Sequence, residues 1–119
     1  MFSWLFIVEN FRDLDSWKKA RSVVCALLEM SASLSRNAEH TGLARSLNTL
    51  SVAILDNMAK GYEGERRSFL VARSLVDQLE ELLSRSKASG LPKGSELIPL
   101  GRELNRLRKS LDGSVRQLR

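Results

Sequence analysis

The chain carries one histidine and one cysteine among 119 residues, and these two side chains bound the chemistry open to it. His40 stands in the polar stretch "SLSRNAEHTG", without the Glu-x-x-His partners that a two-metal carboxylate bundle places on facing helices. Cys25 lies among Val23, Val24, Ala26 and Leu27, with no histidine on its face. A reactive thiolate needs an electropositive, exposed setting, so this spacing predicts a buried, inert thiol. A single cysteine makes neither an intramolecular disulfide nor a thiolate zinc cage, and the expected compartment is the reducing cytoplasm. "GYEGE" at 61–65 lacks the Lys and Ser/Thr of a phosphate-binding loop. No catalytic, metal or cofactor set emerges, and the expected protein is not an enzyme.

The cations say more. The formal charge is +5, and it is unevenly spread: residues 1–100 carry thirteen basic and twelve acidic side chains, residues 101–119 six basic and two acidic. Near the C-terminus Leu97, Leu100, Leu104, Leu107, Leu111, Val115 and Leu118 recur at steps of three and four, the pattern of a helix with a packing seam. At 100° per residue Arg102, Arg106, Lys109 and Arg116 fall on the opposite face within an arc of about 80°. Arg108 and Arg119 flank the seam, and Glu103 and Asp112 lie off the basic arc. Such a ridge is either an ordinary solvated face or a track for phosphates, which would bind nucleic acid with salt-sensitive, largely sequence-independent affinity. Lys18, Lys19, Arg21, Arg66 and Arg67 are candidate extensions of it.

A second irregularity is "ILDNMAKGYEG" at 54–64. The seam of Leu47, Leu50 and Ile54 continues onto Asn57 and Gly61, which points both inward or to a helix end. Asn57 is expected to satisfy backbone groups where this helix turns into the next. Gly61 is expected either to take a left-handed conformation that stops the helix or to let a neighbouring chain approach. The pair reads as a structural corner.

The elements that position these residues follow from periodicity. The first helix is expected over about 14–34, with Asp13 or Asp15 at its start. The second runs from Ala38 or Thr41 to Lys60, with Asn37 or Thr41 as cap. The third starts between Gly64 and Ser68 and carries Phe69, Ala72, Leu75, Val76, Leu79, Leu82 and Leu83 inward, with Glu81 and Arg85 spaced for an ion pair. "KASGLPKGS" is the clearest break, after which Ser95 can cap the fourth helix and Pro99 sits early in it. Four amphipathic segments with short connections predict an all-α, antiparallel up-down-up-down four-helix bundle, one domain over 11–119. Residues 1–10, "MFSWLFIVEN", form an apolar arm too short to span a bilayer and without the basic start of an export signal. The arm is expected to lie on this bundle or on a neighbouring subunit.

Three stretches resemble the four-helix bundle family whose founding members are encoded in intervening sequences of bacterial 23S ribosomal RNA genes: "FRDLDSWKKA" at 11–20, "LARSLNTLSVAILDNMAKGY" at 43–62 and "VARSLVDQLEELL" at 71–83. Lys60 departs from an acid usual there, and Leu55 from a common Pro. The resemblance implies a small cytosolic homopentamer without catalytic activity, related to the accessory protein of diversity-generating retroelements, which associates with a reverse transcriptase and nucleic acid. Five such chains would carry about +25 in total, a field that attracts RNA or DNA. The sequence therefore sets up two expectations: a noncatalytic oligomeric bundle that binds nucleic acid, structured RNA in the first place, through Arg102, Arg106, Lys109 and Arg116, or a scaffold that docks a protein partner without touching nucleic acid.

Overall fold

The computed structural model describes residues 11, 14–88 and 94–116; residues 1–10, residues 12–13 with the expected cap Asp13, residues 89–93 and residues 117–119 lie outside them. Four helices follow one another: α1 (Asp15–Leu34), α2 (Thr41–Tyr62), α3 (Ser68–Ala88) and α4 (Gly94–Arg116). They pack in a ring in which each touches the next and α4 closes onto α1. No helix of the described residues is long and apolar enough to cross a membrane.

Cross-links between helices show the alternating direction. Ser31 Oγ donates to the Ala44 carbonyl at 2.8 Å, near the end of α1 and the start of α2. Ser16 Oγ and Tyr62 Oη meet at 2.6 Å at the opposite ends of the same pair. The α3–α4 pair is held by Arg73 to Asp112 and by Arg108 to Glu80; moving forward along α3 moves backward along α4. With each successive pair antiparallel, α1 also runs antiparallel to α4.

Helix ends follow local chemistry. At α1 the cap position is Leu14, with no side-chain hydrogen bond, and Asp15 sits in the first turn, where a carboxylate favours the helix dipole without capping it. Asn37 accepts from the Glu39 amide at 2.9 Å and caps a short 3-10 turn, Ala38–His40, while Thr41 Oγ1 donates back to the Ala38 carbonyl. Pro99 lies inside α4. It is the sixth helical residue, beyond the turn whose amides lack partners, so the bond its N–H would have made to the carbonyl of residue 95 is lost. Glu81 and Arg85 do not pair; among the described residues the pairs within one helix are Asp56–Lys60, Arg73–Asp77 and Glu103–Arg106.

The corner between α2 and α3 differs from its expectation in mechanism. Gly61 is helical, and the left-handed residue is Gly64, at φ 120°. The Glu65 amide donates to the Lys60 carbonyl at 2.9 Å and the Gly64 amide to the Gly61 carbonyl at 3.3 Å, the paired bonds of a Schellman stop. Gly61 serves packing: a Cβ placed there would lie 2.7 Å from the Phe69 ring. Phe69 stands edge-on to Tyr62 at 5.0 Å, Tyr62 stacks on Phe11 at 5.4 Å, and Phe11 meets Trp17 edge-on at 5.1 Å. Burial pushes the Tyr62 hydroxyl above its ordinary pKa of 10.0, against a smaller lowering by the Ser16 bond. Asn57 is half-buried and its amide donates to the Ala53 carbonyl of its own helix at 2.8 Å. It therefore bonds one turn back along α2, where the carbonyl is already a helix acceptor with a second lone pair, and not to the backbone of the turn.

The core is a single apolar cluster that takes Leu27 from α1, Leu47, Ile54 and Met58 from α2, Val76 and Leu79 from α3, and Leu104 and Leu107 from α4, all fully buried. Cys25 is outside it and exposed, because its neighbours Val23, Val24 and Leu27 take the inward positions. A run of apolar neighbours surrounds Cys25 in sequence, but only some of them share its side of the helix.

Gly61→Ala is expected to lower stability by about 1–2 kcal/mol in denaturant melts: overpacking against a ring wedged by Tyr62 costs about 1–3 kcal/mol, and helix propensity returns up to ~1. A variant as stable as the parent would show that the ring moves freely.

Candidate nucleic-acid interface

Burial of Leu100, Leu104, Leu107 and Leu111 on α4, each at most 6% exposed, sets the rotation of that helix about its axis. With the seam turned inward, Arg102, Arg106, Lys109 and Arg116 are all exposed. Val115 is half-buried; Leu118 and Arg119 lie outside the described residues.

The cations nearer the seam have been taken up. Arg108 bonds Glu80 through both Nε and Nη2 and lies 3.8 Å from Asp77. Arg73 donates from Nε to Asp112 at 2.5 Å and its Nη1 lies 2.5 Å from Asp77. The hydrogen bond to Asp112 holds the Arg73 guanidinium above its usual range, with Asp77 adding to the effect and partial burial opposing it. Two arginines and three carboxylates thus form one partly exposed network between α3 and α4. Sequence reasoning placed Arg108 beside the seam and Asp112 off the ridge, but not this function, since Glu80 and Asp77 become neighbours only once α3 is laid antiparallel to α4.

The ridge itself is uneven. Arg106 donates to Glu103 at 2.9 Å, an i to i+3 pair on the surface, so part of its charge is answered within α4. Arg102, Lys109 and Arg116 make no ion pair within the described residues. An exposed pair such as Glu103–Arg106 contributes about 0.2–1 kcal/mol, small enough for a phosphate to displace the carboxylate.

The neighbouring helix matters to the ridge. A groove of about 450 Å³ runs between α1 and α4, lined by Val23, Ala26, Met30 and Leu100, with Glu29 and Glu103 as its ionisable groups. It marks the rows of the two helices that face each other. Lys19, exposed, continues the α1 row one turn before Val23. Lys18 and Arg21 lie instead with Cys25 on the outer surface of α1. Arg66 and Arg67 stand in the α2–α3 turn, at the same end of the bundle as the end of α4. Asn57 and Gly61 belong to α2 and the aromatic corner, apart from the ridge.

Arg73→Met and Arg108→Met are each expected to cost about 1 kcal/mol in stability, since each leaves carboxylates facing one another. Lys109→Gln is expected to stay within about 0.5 kcal/mol of the parent. Chemical denaturation of the three variants checks the contrast, and equal losses in all three would remove the distinction between structural and free cations. No protein-family model, curated protein or solved structure matches this chain.

Proposed function

We propose that this protein is a noncatalytic helical bundle that binds nucleic acid, structured RNA in the first place, through phosphate contacts from α4. The observation that carries the reading is the division of labour among the α4 cations: Arg108 is bound to Glu80 and Asp77, whereas Arg102, Lys109 and Arg116 are exposed and unpaired among the described residues. Free guanidinium and ammonium groups along one face are the groups that neutralise phosphates and release their counterions. The resemblance to the ribosomal intervening-sequence family supports assembly into a cytoplasmic homopentamer, in which the ridge would be repeated five times and the field multiplied. Native mass spectrometry reports subunit number and bound nucleic acid together.

A second reading, a protein-docking scaffold, is favoured by the exposure of Val52, Leu70 and Val71, at 54%, 47% and 48%. These residues sit on α2 and α3, away from the ridge, so the two readings separate by mutation. Four phosphate contacts predict that RNA affinity falls by about 10²-fold between 50 and 200 mM salt. Replacing Arg102, Arg106, Lys109 and Arg116 together by Gln is expected to abolish the binding with helicity intact. Binding that ignores salt, or survives the four substitutions, would remove the ridge from the function.

A further inference from the structure

We infer that residues 1–10 run back along α1 in extended form and seat Phe2, Trp4 and Phe6 in the apolar groove between α1 and α4 of their own chain. The groove is open because its wall on α1 is low: Ala26, exposed, offers a single methyl group between Val23 and the half-buried Met30. Pro99 and Leu100 face it from α4, and Leu34 also lines it. At about 450 Å³ it falls within the ~300–1,000 Å³ of clefts that take an apolar ligand. Glu29 is exposed and Glu103 is engaged by Arg106, so an uncharged occupant strands neither acid.

The other lines between neighbouring helices are bridged or polar. Ser16 with Tyr62 and Ser31 with the Ala44 carbonyl join α1 to α2, and Arg73 with Asp112 and Arg108 with Glu80 join α3 to α4. The groove between α2 and α3 carries Arg45, Gln78, Glu81 and Arg85, side chains that suit charge and hydrogen bonds better than rings. The exposed Val52, Leu70 and Val71 line neither groove. An apolar segment therefore finds its match between α1 and α4.

The segment has the reach. Phe11 is buried against Trp17 and Tyr62, so the preceding residues leave from the end of the bundle where α1 starts. From Asp15 the near end of the groove, at Ser22, is ~10 Å along α1, and the groove runs ~18 Å further to Leu34. Ten residues as a helix cover only ~15 Å; extended, they cover ~33 Å. Residues 7–10 then bridge ~14 Å to the groove, and residues 1–6 match its length at ~20 Å. Alternation puts Phe2, Trp4 and Phe6 on one side. Glu9, the one charged residue in 1–10, falls at the approach, where Lys19 stands exposed on the α1 row that leads into the groove.

Two measurements on the full chain test this. With Trp17→Phe, Trp4 is the remaining tryptophan; its emission is expected to lie to the blue of the unfolded chain and to resist acrylamide. Ala26→Arg, which fills the groove from an exposed position, is expected to move emission and quenching to the unfolded values, with an unchanged melting profile as the control for folding. Trp4 open to solvent in the parent, or still protected beside Arg at position 26, overturns the inference. In the second measurement a photoreactive benzophenone side chain replaces Phe2, and equal amounts of isotopically heavy and light chain are mixed before irradiation. Cross-links are expected to the tryptic peptides 22–36 and 94–102, each pair of one isotopic mass. Cross-links elsewhere, or none, overturn the seat; pairs of mixed mass overturn its being in the same chain and assign the groove to a second copy's residues 1–10.

Discussion

Burial of the leucine seam on α4 is the constraint on which the rest of the surface depends. Leu104 and Leu107 are fully buried, and Leu100 and Leu111 nearly so; at about 1.5–3 kcal/mol for each buried side chain, upper values because the unfolded chain already hides some apolar area, they outweigh any exposed ion pair on the helix. No other rotation of α4 buries them. Once they are inward, the positions of all its cations are decided. Arg108 falls against α3, where Glu80 and Asp77 meet it, and Asp112 falls within reach of Arg73. Arg102, Lys109 and Arg116 fall outward and meet no acid among the described residues. The same burial therefore produces a structural charge network on one flank and a free cationic ridge on the other.

The opposite corner works by shape. Gly61 makes room for the Phe69 ring, and Gly64 stops α2 with a positive φ. Two glycines three residues apart thus do separate jobs, one for packing and one for the backbone. The ring contacts from Phe69 through Tyr62 to Phe11 and Trp17 then tie the start of α3, the end of α2 and the start of α1 together. This fixes the start of α1.

Much of the architecture was legible in the sequence because helical periodicity is a property of single segments. The steps of three and four among Leu100, Leu104, Leu107 and Leu111 name their face without knowledge of any neighbour, and the outward set on α4 follows by rotation. What was misread depended on partners or on neighbouring positions. Cys25 was placed inward from the apolar residues beside it in sequence, although residues one apart point about 100° away from each other. For Gly61 the spacing left open a left-handed stop or a close approach; the turn takes its left-handed residue at Gly64, and Gly61 instead gives room to the Phe69 ring. Glu81 and Arg85 have the spacing of a pair and do not form one, whereas Asp56 and Lys60 at the same spacing do; an exposed i to i+4 pair offers so little energy that spacing alone does not decide it. The bonds of Arg108 to Glu80 and of Arg73 to Asp112 cross between helices, so nothing in local spacing announced them.

The central claim is that the α4 ridge, and not the protein's positive charge in general, meets nucleic acid. Lysine reactivity mapped by mass spectrometry with and without a structured RNA tests it most directly. Lys109 lies on the ridge, whereas Lys60, paired with Asp56 on α2, and Lys87, near the end of α3, lie elsewhere. The account predicts that RNA protects Lys109 while Lys60 and Lys87 keep their reactivity; protection spread evenly over all three, or absent at Lys109, would contradict it.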